Sequence, residues 1–178
     1  MPSRAAISFD SPVGPLRVQA TRDYVMQVKL NAPPIAGGGE GPAHRLCERA
    51  REEILAFLEG ELREFTVPFR LVGPAFLCRA MTALLDVRYG ETITYGQLAR
   101  HLDEPNASRA IGAACGANPL PLIVPCHRVV AADGLGGFGG GLEMKRWLLE
   151  LEALGAPPRE RRGGPVFESL DGEQSRLF

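Results

Sequence analysis

The run from Leu120 to Val130 constrains the fold of this chain more than any other stretch. It is apolar on both sides of Pro125-Cys126-His127-Arg128 and so carries a thiol and an imidazole into the interior. By composition the run reads as a buried strand. A desolvated imidazole is costly unless a hydrogen-bond partner comes with it, so the surrounding chain must supply one. The arrangement also has a chemical use, because sulfur is nucleophilic as the thiolate and a neighbouring base or cation raises the thiolate fraction. Cys126 is therefore a candidate nucleophile. Packing offers a competing account, since a free cysteine most often serves as a small buried hydrophobe, and the Cys126-His127 pair does not by itself choose between the two.

At 178 residues the chain suits one large domain or two small ones, either with a real core. Four cysteines (Cys47, Cys78, Cys115, Cys126) could pair, but no signal peptide precedes them, so reduced thiols in the cytoplasm are expected. No apolar stretch reaches the length of a membrane span. A net charge of −1 makes no electrostatic case for nucleic acid, so any such argument has to come from local features. Lysine occurs only as Lys29 and Lys145 among many arginines, which reads as a compositional bias and not as a site.

Ala5 to Phe9, Leu16 to Ala20 and Tyr24 to Leu30 read as a small antiparallel sheet, its first two strands joined by the turn-rich Asp10-Ser11-Pro12-Val13-Gly14. Asn31 to Pro42 is rich in Pro and Gly and reads as a loop. Leu46, Ala50, Ile54, Leu55 and Leu58 then recur at helical spacing up to Gly60. Thr66 to Gly73 reads as a linker and puts a domain boundary near residue 70. Beyond it, Phe76, Ala80, Met81, Leu84 and Leu85 mark a helix that stops before Tyr89-Gly90-Glu91. A short helix at Thr94 to Ala99, with Leu98, Ala99 and Leu102 inward, is followed by a break at Asp103 to Asn106 and a second helix from Ser108 to about Gly116.

Two short helices around a tight polar break fit a helix-turn-helix, and fit an ordinary packing hairpin as well. On the second helix Ala107, Ser108, Ala110, Gly112, Ala113 and Ala114 are small and Arg109 alone is long. Such a face approaches another surface closely, with the arginine free to enter a groove or fill a place in a base stack. A helix packed against a neighbour, with Arg109 merely solvated, explains it equally. The expected fold class is α+β: an N-terminal domain of small antiparallel sheet plus helix over 1–70, a mainly helical domain with a helix-turn-helix over 71–155, and a tail over 156–178.

Gly134 to Gly141 contains G-x-G-x-x-G at Gly134, Gly136 and Gly139. The chain lacks repeated βαβ units, and a reactive cysteine has no place beside a pyrophosphate, so a dinucleotide site is rejected. A loop whose amides approach a planar ligand, with Phe138 as an apolar face, fits better, and plain connection stays open. The last strong helix, Leu142 to Ala153, carries two acids that compete to partner His127. Glu150 lies four residues after Arg146, where a surface ion pair explains it. Glu152 follows Leu148 and Leu149 by four and three, on or near the apolar face, where a carboxylate is costly without a partner. An acid–histidine–cysteine relay through Glu152 and a boundary glutamate reaching water are both compatible with that spacing.

Pro125-Cys126-His127-Arg128-Val129-Val130, preceded by Arg109-Ala110-Ile111-Gly112 and Asn118-Pro119 and followed by Gly140-Gly141-Leu142 and Lys145-Arg146-Trp147-Leu148-Leu149, resembles the O6-alkylguanine-DNA alkyltransferases. The resemblance covers roughly Phe76 to Glu152, and Asp10 to Gly14 is similar to the family's first hairpin. It implies direct, single-turnover transfer of an alkyl group from O6-alkylguanine in duplex DNA to Cys126 after base flipping, with O4-alkylthymine as a second candidate substrate. It further implies His127 as a base acting through water, Glu152 as its orienting acid and Asn118 as the tie between recognition helix and reaction centre. Tyr95, Ser108, Arg109, Gly112 and Arg128 would engage DNA, with Arg109 in the place of the flipped base and Tyr95 against the target phosphate. Cys115, Pro121, Val129, Phe138 and Gly139 would line the alkylguanine pocket. The implied partner is double-stranded DNA containing alkylated bases, met by a cytoplasmic, nucleoid-associated or nuclear monomer with no cofactor and no membrane contact.

The chain departs from the family pattern at Leu77 and Met81, where glutamine and tryptophan are usual, and at Phe138, where tyrosine is frequent. The first two read as core and buttress changes, while the hydroxyl missing at Phe138 bears on the breadth of the pocket. The zinc site of some relatives would need ligands, and His44, Cys47, Cys78 and His101 make no convincing set. A cysteine-dependent hydrolase would use the same three residues with repeated turnover, and a non-catalytic lesion-binding protein would need only the helix pair.

Overall fold

The structure is a computed structural model describing residues 4–36 and 39–155, so the expected tail at 156–178 lies outside the described residues. The chain divides into two compact units. Among the described residues, one comprises those up to Gly73 together with Pro119–Ile123, the other Pro74–Asn118 together with 124–155.

In the first unit β1 (Arg4–Phe9), β2 (Leu16–Thr21) and β3 (Val25–Leu30) form an antiparallel sheet in that order. Its register sets Ile7 against Val18 and Val18 against Val28. Strand alternation puts Leu16, Val18 and Ala20 on one buried face. That face is covered by α1 (Pro42–Leu58), which turns Leu46, Cys47, Ala50, Ile54 and Phe57 inward. The helix starts on Pro42, where the missing N–H costs nothing. It stops at Gly60, whose φ of +78° lets the amides of Gly60 and Glu61 close back onto the carbonyls of Phe57 and Ala56 at 3.0 and 2.9 Å.

Thr66 to Arg70, expected to be a linker, is tied down instead. The Val25 amide donates to Pro68 O at 2.8 Å and Arg70 N donates to Val25 O at 3.1 Å, while Glu53 accepts from the amides of Thr66 and Val67 at 2.7 and 3.1 Å. The short segment Pro119–Ile123 joins the same unit, with the Val28 amide donating to Pro119 O at 2.9 Å.

The second unit holds α2 (Ala75–Leu84), β4 (Ile93–Thr94), α3 (Tyr95–His101), α4 (Ser108–Gly116), a 3-10 turn at Cys126–Arg128, β5 (Val129–Val130) and α5 (Leu142–Gly155). Both α2 and α3 pack on α4. Thr94 caps α3: its hydroxyl accepts from Gln97 N at 3.1 Å, and the Gln97 carbonyl accepts from Thr94 N at 2.8 Å. On α4 the inward residues are Ile111 and Ala114, so Ala114 leaves the exposed small-residue face on which its type had placed it.

The strand expected through Pro125-Cys126-His127-Arg128 is instead a turn. Pro125 sits at φ −81°, ψ 62°, and the Cys126 amide donates to Val124 O at 2.8 Å in an inverse γ-turn, after which Arg128 N donates to Pro125 O at 3.0 Å. Burial is as the apolar run demands, but a proline with no N–H cannot continue a ladder. Only Val129 and Val130 are extended. They pair in parallel with Ile93 and Thr94, which sets the thiol-bearing turn beside the start of α3. Among the described residues no helix is long and apolar enough to cross a membrane, and no group of three His, Cys, Asp or Glu side chains could hold a metal ion.

Candidate active site

The turn presents Cys126 and His127 at 5% and 0% exposure. Opposite it stands α5, whose Lys145, Leu148 and Glu152 fall on one stripe because seven residues are two helical turns. The His127 ring donates from Nε2 to Glu152 Oε1 at 2.6 Å. Glu152 also accepts from Arg128 through Nε at 2.9 Å and Nη2 at 2.9 Å, and from the Gly90 amide at 3.0 Å. The Nη1 of Arg128 donates to Val87 O at 2.6 Å. Lys145 donates to Val129 O and Gly137 O at 2.5 and 3.0 Å. Asn118 donates to Val124 O at 3.0 Å and hydrogen-bonds the Cys126 sulfur.

The charges follow from these contacts. Burial pushes the Cys126 thiol above its ordinary value, against the downward pull of the Asn118 hydrogen bond and the Lys145 cation, so the resting sulfur is protonated. Burial also holds His127 below its ordinary 6.5, outweighing the opposite pull of Glu152. Glu152 is itself penalised by burial, yet His127 and Arg128 together hold it down to about 2. The permanent guanidinium supplies the countercharge, and the imidazole donates to the carboxylate as a neutral ring. Lys145 is pushed down to about 8 by burial, with Cys115 and Cys126 pulling the other way. A protonated thiol beside an oriented, neutral imidazole is a nucleophile waiting for its base.

The exposed face of α4 carries Arg109, Ala110 and Ala113, with Ser108 and Gly112 half-buried. The Tyr95 ring is half-buried between α4 and the Gly-rich loop. A Cβ on Gly112 would stand 3.8 Å from it, and one on Gly136 (φ +71°) only 2.7 Å. Gly136 is thus a position where only glycine fits. Phe138 sets its ring edge-on to His127 at 6.4 Å, Cys115 is half-buried and Gly139 exposed. Pro121 is buried and belongs to the first unit.

Known proteins resemble this chain over most of its length. A family model for the 6-O-methylguanine DNA methyltransferase DNA binding domain matches residues 75–154. The methylated-DNA–protein-cysteine methyltransferase of Mycobacterium tuberculosis is 39% identical over 161 residues, spanning 84% of this chain and 93% of that protein. The chain belongs to this methyltransferase family. Its counterpart in Mycolicibacterium paratuberculosis is 42% identical over 156 residues, with coverage of 84% and 93%. The crystal structure of Mycobacterium tuberculosis OGT in complex with DNA superposes with a TM-score of 0.75 at 39% identity, covering 85% of this chain and 94% of that one. The enzyme class follows: a methyltransferase acting from methylated DNA to a protein cysteine.

Within that family setting one expected role is corrected and one residue is added. Arg128, assigned to the DNA face, is 6% exposed with all three of its nitrogens turned inward, so it cannot reach a duplex. Its position inside a buried run was the available signal, since a buried guanidinium needs a carboxylate. Lys145 was passed over as composition. It stands seven residues before Glu152 on the stripe that singled out that glutamate, so the same spacing selects it.

Proposed function

We propose that this protein repairs double-stranded DNA by moving the alkyl group of O6-alkylguanine onto Cys126, once per chain. The observation that carries the reading is the buried hydrogen bond to Glu152 made by His127, the residue that follows the buried thiol of Cys126. With Nε2 committed to the carboxylate, Nδ1 is the nitrogen that takes the thiol proton, directly or through a water. The sulfur then attacks the alkyl carbon, the S–C bond forming as the C–O6 bond breaks. The electron pair leaves with the guanine, which takes up a proton. A thioether is stable in water, so the acceptor is consumed.

Access favours the same reading, since an O6-alkyl carbon within a base stack is out of line for attack and the nucleotide has to be extruded. Exposed Arg109, on a helix face of small residues, fills the vacated place, with Ser108 and Gly112 permitting close approach. Tyr95 bears on the flanking phosphate, Asn118 couples α4 to the sulfur, and Cys115, Val129, Phe138 and Gly139 surround the base. The protein acts as a cytoplasmic monomer. Incubation with a duplex holding one O6-methylguanine should add one CH2 unit per chain, on the Cys126 peptide. Repeated turnover, or label on Cys115, overturns the reading.

A further inference from the structure

Arg128 does more around Glu152 than orientation of His127 requires. A carboxylate has about four acceptor positions, and those of Glu152 are taken by His127, by two nitrogens of Arg128 and by the Gly90 amide. An imidazole–carboxylate pair alone would already fix the ring. A buried ion pair is also a poor way to gain stability, because well-packed apolar side chains serve as well. The charge count points elsewhere. The charged groups bearing on His127 are Glu152 and Lys145 from α5 and Arg128 from its own turn, two cations against one anion. A lone carboxylate 2.6 Å from an imidazole invites a second proton onto the ring and would spoil it as a base. A guanidinium 2.9 Å from that carboxylate cancels the invitation. The surplus positive charge then favours the thiolate once His127 has taken its proton.

We infer that Arg128 is a positioning residue for alkyl transfer: its fork fixes the Glu152 carboxylate under His127, and its fixed charge offsets the pull of that carboxylate, adding to the effect of burial in keeping the imidazole neutral until Cys126 reacts. The inference rests on the reading of Cys126 as acceptor and His127 as base. The fork also anchors the turn before β4, through Val87 O and the Gly90 amide that shares Glu152. Charge and geometry are separable by substitution, because lysine keeps the first and loses the second.

The test measures the rate of transfer from free O6-benzylguanine to the full chain as a function of pH, which removes DNA from the comparison. In Arg128→Gln the acid limb of the profile, where His127 becomes protonated, should move up by about one pH unit or more, the size of effect a lost neighbouring charge produces. In Arg128→Lys the limb should stay where the wild type has it while the plateau falls, about tenfold or more, as for other buried groups that orient a reacting side chain. A folded Arg128→Gln protein with an unmoved limb overturns the inference. Should that variant not fold, a wild-type plateau in Arg128→Lys overturns it instead, as does an imidazolium at His127 at pH 7 in nitrogen NMR spectra of the wild type. The single mass gain on Cys126 in the wild type is independent of all three, so failure here and failure of the transfer reading are distinguishable.

Discussion

At the scale of single residues, the two glutamates of α5 separate cleanly. Glu152 is 1% exposed and Glu150 is on the surface. Glu152→Gln leaves the Arg128 charge buried without its counterion, and denaturant unfolding should show a loss of about 3–5 kcal/mol. Its rate with free O6-benzylguanine should fall as well, because His127 loses the acceptor that orients it. Glu150→Gln should leave both within measurement error, stability within about 0.5 kcal/mol. Equal behaviour of the two variants would remove Glu152 from the relay. Cys126→Ala should abolish transfer while duplex affinity, read by fluorescence anisotropy, persists. Glu152 was legible in the sequence as a candidate, because a carboxylate three and four residues past Leu149 and Leu148 lies on or near the apolar face, but that spacing left a glutamate reaching water open and only the family resemblance chose the relay. Arg128 was not, since motif resemblance drew it toward DNA although its apolar neighbours marked it as interior.

At the scale of elements, small features of capping and turn geometry carry the site. Thr94→Ala deletes half of the box that starts α3, so it should cost about 0.5–2 kcal/mol in thermal or denaturant unfolding and loosen Tyr95 at the first helical position. Gly136→Ala meets two penalties at once: a left-handed backbone worth roughly 1–2 kcal/mol, and a Cβ 2.7 Å from the Tyr95 ring. Duplex repair by that variant should fall well below that of Gly134→Ala, a loop change carrying neither penalty, when methyl transfer is timed by quenched flow. The strands and long helices were readable from periodicity, because each buries one face and repeats at 2 or 3.6 residues. The Cys126 turn was not, because an apolar run reports burial and not backbone shape. Pro125 was the overlooked sign that the ladder must stop there. The box at Thr94-x-x-Gln97 was also in plain view, but Thr94 was taken as the first residue of the helix and not as its cap.

At the scale of the whole molecule, charge and chain order govern behaviour. Glu152 is held at about 2 against an ordinary 4.5, so its contribution to stability is complete above pH 4.5 and is lost as the pH falls towards 2. His127, held below 6.5, has the same sign, and the cost of keeping it uncharged begins to tell as the pH drops through 6.5. Lys145, lowered from 10.5 to about 8, makes stability climb between those two values. Melting temperature should therefore decline on the acid side from about pH 6.5, and the component between 4.5 and 2 should be missing in Glu152→Gln. Arg109→Ala should slow repair of duplex far more than reaction with free O6-benzylguanine, and equal losses would tie Arg109 to the fold instead. The short strip Pro119–Ile123 has one last consequence, for biosynthesis. The first unit contains residues that leave the ribosome only after α2, α3 and α4 have been made, so it cannot finish folding on its own schedule. The nascent chain has to hold its finished sheet and helix without the strip that accepts from the Val28 amide until Ile123 emerges. No single cut in the gene can then release the first unit whole, and a fragment ending at Gly73 should expose unfilled apolar surface and aggregate more readily than the intact chain.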